Sequence, residues 1–226
     1  MPGILDFVST KLTSRGREAT SSFDFPSEPT ETLGLAQRQV IVDFARVMSS
    51  QFLTSAAEQG LYNPQMYPVD IDAIAKGLGI KGWLGELDDK DGVIVKDVGE
   101  RLPQLALSRN ASPESQLFTF AHELGHWEFF VLDKTDQEIV DAPFFDNCWK
   151  NEGDKIPKEY FANSFAHFTL MPTEEVIACI LSGKTFEDMQ RHFGVSKEAM
   201  QRRFSYFDLE RQSFDVEPVK VTAANE

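Results

Sequence analysis

The pentapeptide HELGH, from His122 to His126, constrains this chain more than any other feature. On an α-helix, residues four positions apart lie one above the other, so the imidazoles of His122 and His126 share a face and can bind one metal ion. Glu123 is rotated by about 100° around the helix axis, which places its carboxylate beside a metal-bound water rather than on the metal. The motif therefore predicts a helix with two metal ligands and one general base.

The alternative is that both histidines are ordinary hydrogen-bonded helix residues and that Glu123 is a solvated charge. The sequence around the motif argues against this, because apolar residues flank it on nearly every side. These residues are Phe118, Phe120, Leu124, Trp127, Phe129 and Phe130. They indicate a buried helix, and a buried carboxylate between two imidazoles requires partners such as a metal ion.

Composition indicates an ordinary globular protein, with 226 residues, 42% of them hydrophobic and 26% charged. The chain has no apolar run of roughly 18 residues and no secretory signal pattern, so we expect a cytoplasmic protein with no membrane partner. The spacing of Cys148 and Cys179 does not indicate a disulfide framework, so reduced thiols are expected. The net charge of −14 argues against direct nucleic-acid binding, which relies on a basic surface.

The chain divides into four predicted parts. Residues 1–34 are predicted to be a disordered or loosely docked tail, because the sequence from Ser21, SSFDFPSEPTET, is rich in Ser, Thr, Pro and acidic residues. Residues 35–172 form the main domain, and residues 173–209 form a helical segment packed on it. Residues 210–226 are predicted to be a flexible tail.

The first half of the main domain is predicted to contain two helices and a small sheet. The first helix runs from Leu35 to Gln59, and a short second helix is capped by Asp70. KGWLGEL and GVIVKDV are β-rich and separated by an Asp/Gly turn, which predicts a hairpin. PQLALS, residues 103–108, is predicted as a third, edge strand that an extended peptide could pair with.

The second half is predicted to be helical. The HELGH helix begins after the N-cap Ser112 and continues to about Leu132. A loop rich in aromatic residues follows, and then a helix that ends before Pro172. Three shorter helices, each opened by Ser or Thr, complete the chain. They span residues 173–181, 185–193 and 196–209.

A catalytic zinc ion usually takes three protein ligands, so one more ligand is needed. The segment KEYFANSFAHFTLMP is the best source, because its phenylalanines indicate a buried helix. Glu159 and Asn163 share one face of that helix, so Glu159 can bind the metal while the Asn163 amide orients a ligand imidazole. His167 lies one turn further on the same face and is the competing third ligand. The alternative for His167 is a packed, hydrogen-bonded core residue.

FTFAHELGHWEFF followed by EYFANSFAHFTLMP resembles the ImmA/IrrE family of metallopeptidases, whose pattern is HExxH and then a helix with ExxAN-x-FA and LMP. The resemblance covers roughly residues 35–209. It implies an α+β, mostly helical, zincin-like minimal metallopeptidase domain, with a small three-stranded antiparallel sheet and a helix-turn-helix-like C-terminal segment. It also implies zinc held by His122, His126 and Glu159, with Glu123 as the general base.

Phe161 stands where many members of this family carry an acidic residue, which leaves Glu159 as the carboxylate of the motif. Two imidazoles and a carboxylate suit Zn²⁺ best, although Mn²⁺ or Fe²⁺ fit the same ligands. Tyr160 adjoins Glu159 and is the candidate oxyanion donor. Its alternative role is core packing.

The resemblance also implies a role: cleavage of a helix-turn-helix transcriptional repressor encoded nearby, which relieves repression in gene regulation or a stress response. The alternative is a non-proteolytic regulator that binds a repressor or toxin through the same groove. A third hypothesis is DNA binding by the C-terminal segment, through Lys197, Arg202 and Arg203. The stretch from Lys184 to Phe204 contains five basic and three acidic residues. This small basic excess favours helix packing or partner recognition over DNA binding.

Overall fold

The computed structural model describes residues 34–149 and 157–212, so the predicted tails lie almost wholly outside the described residues. The fold is α+β and mostly helical, as predicted. The helices are α1 Leu35–Glu58, α2 Ile71–Gly77, α3 Pro113–Val131, α4 Asp136–Asp141, α5 Pro157–Leu170, α6 Thr173–Leu181, α7 Phe186–Phe193 and α8 Lys197–Gln212. The strands are β1 Lys81–Gly85, β2 Lys90–Lys96, β3 Gln104–Ser108 and β4 Phe144–Trp149.

The sheet differs from the prediction. Within the described residues it has four strands in the order β1-β3-β2-β4, with β2 antiparallel to both of its neighbours and β1 parallel to β3. The expected antiparallel three-stranded sheet is therefore wrong, and so is the hairpin of β1 with β2, because β3 lies between them. The predicted edge strand, β3, is an interior strand.

Burial explains the strand order. β3 carries Leu105, Ala106 and Leu107, all buried, and a strand covered on both faces and both edges belongs in the interior of a sheet. β1 is a much more exposed strand, since Trp83 and Leu84 are each 48% exposed. β4 forms from the aromatic segment that was predicted to be a loop, because pairing with β2 satisfies its backbone groups.

Three long helices position the site. α3 lies between the sheet on one side and α5 on the other, and α1 packs against α5. Gly125 allows the close approach of α3 to α5, since a Cβ at this residue would lie 3.0 Å from the Ala162 Cα atom. The HELGH helix is therefore held firmly against the helix that was predicted to carry the third ligand. None of the described helices is long and apolar enough to cross a membrane.

Arg203 joins the C-terminal helices to the main domain. Its guanidinium is fully buried, donates from Nε to the Met171 carbonyl (3.0 Å) and from Nη2 to Thr173 Oγ1 (2.8 Å), and lies over two phenylalanine rings. A guanidinium in this position is not available to a phosphate. The structure thus removes one of the three cations on which the DNA-binding hypothesis rested.

Candidate metal centre

The helix α3 begins and is buried as its sequence predicts. The Ser112 hydroxyl accepts a hydrogen bond from the Ser115 amide (3.2 Å), and a proline occupies the first helical position. The three polar residues of HELGH lie in the second half of this helix. Their exposed fractions are 2% for His122, 0% for Glu123 and 3% for His126.

Glu159 lies in the first turn of α5 and faces both histidines. Its Oε2 atom is 3.4 Å from Nε2 of His122 and 3.4 Å from Nε2 of His126, and the two Nε2 atoms are 3.0 Å apart. Around a tetrahedral zinc ion with bonds of roughly 2.0–2.2 Å, neighbouring ligand atoms are separated by about 3.4 Å. These three metal-binding atoms therefore already have nearly the spacing that zinc requires.

The outer nitrogen of each imidazole lies beside an oxygen acceptor, which favours the tautomer that a metal ligand requires. Nδ1 of His122 lies 2.9 Å from Oδ1 of Asn163, and Nδ1 of His126 lies 3.5 Å from Oδ2 of Asp146. Because both oxygens are acceptors, each Nδ1 is the protonated nitrogen when its imidazole binds a metal ion, and each Nε2 then supplies the ligand lone pair. Two lone pairs and a carboxylate oxygen then meet at one point, an arrangement that a bound cation stabilises.

The charge state of Glu159 fits this arrangement. Burial favours the protonated carboxyl, but the contacts with His122 and His126 outweigh burial and hold the pKa of Glu159 below its ordinary value. The residue is therefore a carboxylate at neutral pH. Lys158 lies 2.9 Å from Asp146 and balances the charge of that second carboxylate.

Glu123 lies against strand β2. A Cβ atom at Gly92 would lie 2.5 Å from Thr119 Cγ2 and 2.9 Å from Oε1 of Glu123. Only a glycine leaves this space to the carboxylate. Both Gly92 and Asp146 were missed from the sequence; a glycine inside a strand pattern was the available signal for the first, and Asp146 had no spacing signal.

The comparison with known families gives a clear match. The model described as the IrrE N-terminal-like domain, Peptidase_M78, matches residues 83–205, which is more than half of the chain. The chain belongs to the Peptidase_M78 family. Membership confirms the predicted resemblance to the ImmA/IrrE family and its metallopeptidase character, and Peptidase_M78 proteins are in general zinc-dependent. No curated protein matches the chain significantly.

His167 does not join the candidate metal centre. Among the described residues, the group that converges on this point consists of His122, His126 and Glu159. The His167 ring is buried between the rings of Phe118 (4.8 Å between centroids) and Tyr206 (5.5 Å). Burial, followed by the charges of nearby arginines, lowers the pKa of His167 well below its ordinary value, so it is neutral.

Tyr160 is also a buried residue. Its ring lies 6.4 Å from the ring of Tyr206, with the Arg38 guanidinium 5.7 Å above it. Core packing accounts for this position. The oxyanion role of Tyr160 stays a prediction.

Proposed function

We propose that this chain is a zinc-dependent endopeptidase in which His122, His126 and Glu159 hold the metal. The observation that carries this proposal is the meeting of three metal-binding atoms, Nε2 of each imidazole and Oε2 of Glu159, at 3.0–3.4 Å. Bound zinc supplies a Lewis acid that lowers the pKa of water and polarises a peptide carbonyl. Membership of Peptidase_M78 supports the same chemistry.

Glu123 is the general base of the proposed reaction. It takes a proton from the attacking water and returns it to the amine that leaves when the peptide bond breaks. The complete burial of Glu123 suits this role, because a carboxylate shielded from bulk water keeps a fixed position. Gly92 has no side chain, so it leaves the space against β2 that the Glu123 carboxylate occupies.

Asn163 and Asp146 are the positioning residues. Asn163 Oδ1 lies 2.9 Å from Nδ1 of His122, and Asp146 Oδ2 lies 3.5 Å from Nδ1 of His126. An oxygen acceptor at Nδ1 orients the ring and makes Nε2 a better ligand. They arrive from different elements, Asn163 from α5 and Asp146 from β4. The centre is therefore held from both sides of α3.

The substrate backbone is proposed to lie along β4. This strand is an edge of the described sheet, whereas β3, the strand first expected to bind a peptide, is enclosed by β1 and β2. β4 also carries Asp146, which contacts His126. An extended peptide that adds to this edge would bring a carbonyl beside the metal centre.

The proposed substrate is a helix-turn-helix transcriptional repressor encoded nearby, cleaved in the cytoplasm to relieve repression. The resemblance to the ImmA/IrrE family supports this choice. To test it, the zinc-loaded protein is incubated with the helix-turn-helix protein encoded by the adjacent gene, and new termini are sought by mass spectrometry. A partner that binds but stays intact with zinc, manganese and iron would favour the non-proteolytic regulator instead.

Peptidase activity itself is testable without a known substrate. A library of peptides derived from a whole proteome is incubated with the protein as purified, after chelation, and after zinc is restored. We expect new termini that disappear on chelation and return with zinc. Termini that persist without metal would contradict the proposed mechanism.

A further inference from the structure

A second cluster of metal-binding side chains lies on helices that contribute nothing to the first centre. Glu175 and Cys179 are four residues apart on one face of α6, and His192 reaches them from α7. One ligand atom of each residue lies within 4.8 Å of the other two. We propose that Glu175, Cys179 and His192 form a second zinc-type site that cross-links α6 to α7.

The distances fit this assignment. Oε1 of Glu175 lies 3.6 Å from Sγ of Cys179 and 2.7 Å from Nε2 of His192. With a Zn–S bond of about 2.3 Å and Zn–N and Zn–O bonds of roughly 2.0–2.2 Å, tetrahedral geometry requires about 3.6 Å and about 3.4 Å respectively. The separation of the sulfur from the carboxylate oxygen already has the required value. The imidazole must move by about 0.7 Å from the carboxylate to reach this geometry, and the side-chain exposures of 23% and 27% leave both groups room to do so.

The hydrogen bonds show where the cation would sit. The Cys179 thiol donates to Oε1 of Glu175, and the imidazole Nε2 of His192 contacts the same oxygen. Lys184 Nζ lies 3.3 Å from Nδ1 of His192, so Nδ1 accepts and Nε2 carries the proton that is directed at Glu175. Two protons thus converge on one carboxylate oxygen, and a single metal ion can replace both.

The proton balance of binding is simple. The thiol of Cys179 loses its proton to solvent and becomes a thiolate ligand. The imidazole proton of His192 moves from Nε2 to Nδ1 by exchange with water, and Lys184, an exposed residue, turns away into solvent. A thiolate, an imidazole and a carboxylate are a ligand set that zinc accepts, with water in the fourth position.

The site is open to solvent on one side. Glu175 lines a cleft of about 720 Å³, together with Glu174, Tyr62 and Tyr67. The Tyr67 ring also lies 4.9 Å from the ring of His192. A metal ion can therefore enter past the carboxylates of Glu174 and Glu175, while Cys179, only 1% exposed, closes the inner end.

Cobalt substitution separates the two sites. A thiolate bound to Co²⁺ gives a charge-transfer absorption in the near ultraviolet, and the group His122, His126 and Glu159 contains no thiol. We expect this band when Co²⁺ is titrated into the full-length protein under a phosphine reductant. The band should vanish in Cys179→Ala and persist in Cys148→Ala and in His122→Ala.

A further variant, His192→Gln, distinguishes loss of the metal site from misfolding. His192→Gln keeps the thiol and changes a partly exposed residue, and we expect Co²⁺ to bind at least tenfold more weakly at the thiolate site while far-ultraviolet circular dichroism stays unchanged. A wild-type protein without the band, or a band that survives Cys179→Ala or His192→Gln at full affinity, would overturn the second site. These outcomes do not test the peptidase proposal. The His122→Ala variant removes a ligand of the HELGH centre and reports on that centre separately.

Discussion

The variant Gly92→Ala tests the proposed position of the general base. The added Cβ would lie 2.5 Å from Thr119 Cγ2 and 2.9 Å from Oε1 of Glu123, whereas ordinary contacts are 3.4–4 Å. Both side chains must therefore move. Glu123 is not a metal ligand in the proposed mechanism, so the change should reach the catalytic proton transfer without removing the metal.

The magnitudes follow from overpacking. Inserting a methyl group into a filled space costs about 1–3 kcal/mol, and replacing a strand glycine returns about 0.5–1 kcal/mol of backbone entropy. The net loss of about 0–2.5 kcal/mol lowers the Tm by up to roughly 10 °C in a chain of this size. General-base catalysis contributes roughly 10²–10⁴-fold, so a displaced Glu123 should lower turnover at least about tenfold.

The assay combines Tm, bound zinc and turnover of a peptide that the wild type cleaves. Thr119→Ser provides the matched control. Combined with Gly92→Ala, it removes Thr119 Cγ2, the atom nearest to the added Cβ, and leaves the close contact of that Cβ with Glu123. We expect the double variant to regain stability toward that of Thr119→Ser while turnover stays low. Full turnover in Gly92→Ala at equal zinc content, or turnover that recovers in parallel with stability, would refute the reasoning.

Three further predictions concern the surroundings of the centre. Gly125→Ala places a Cβ 3.0 Å from the Ala162 Cα atom and should separate α3 from α5, weakening zinc about tenfold in a chelator competition; unchanged affinity would count against a rigid centre. Asn163→Ala removes the acceptor for Nδ1 of His122 and should weaken zinc about 10–100-fold, whereas Asn163→Asp keeps an acceptor and most of the affinity. His167 stays neutral when folded but takes up a proton below a pH of about 6.5 when unfolded, so wild-type stability should fall with acid by up to about 1.4 kcal/mol per pH unit relative to His167→Leu. Urea unfolding of both proteins at two pH values, after the metal is removed with a chelator, measures this difference. Equal losses of stability in the wild type and His167→Leu would contradict it.

The helices could be predicted because their signals are local. The Ser112 cap and the i, i+4 pairs His122 with His126 and Glu159 with Asn163 are read within single helices, and the structure places each on the expected face. Burial of these helices followed from the phenylalanines around them. The meeting of α3 with α5 needed the family resemblance as well.

The sheet could not be predicted from local patterns, because strand order depends on pairing between distant segments. β4 has no clear alternation, and it becomes a strand only because β2 offers an edge. Asp146 reaches His126 only after that pairing, so no spacing in the sequence indicates it. The contact of Gly92 with Glu123 is hidden for the same reason.

The most direct test of the metallopeptidase proposal compares the wild type with Glu123→Gln, both loaded with zinc and matched in metal content. The substitution keeps the size of the side chain and removes its ability to accept the proton from water. We predict that both proteins bind zinc equally and that only the wild type produces new termini in the peptide library. Equal cleavage by Glu123→Gln would contradict the proposed mechanism.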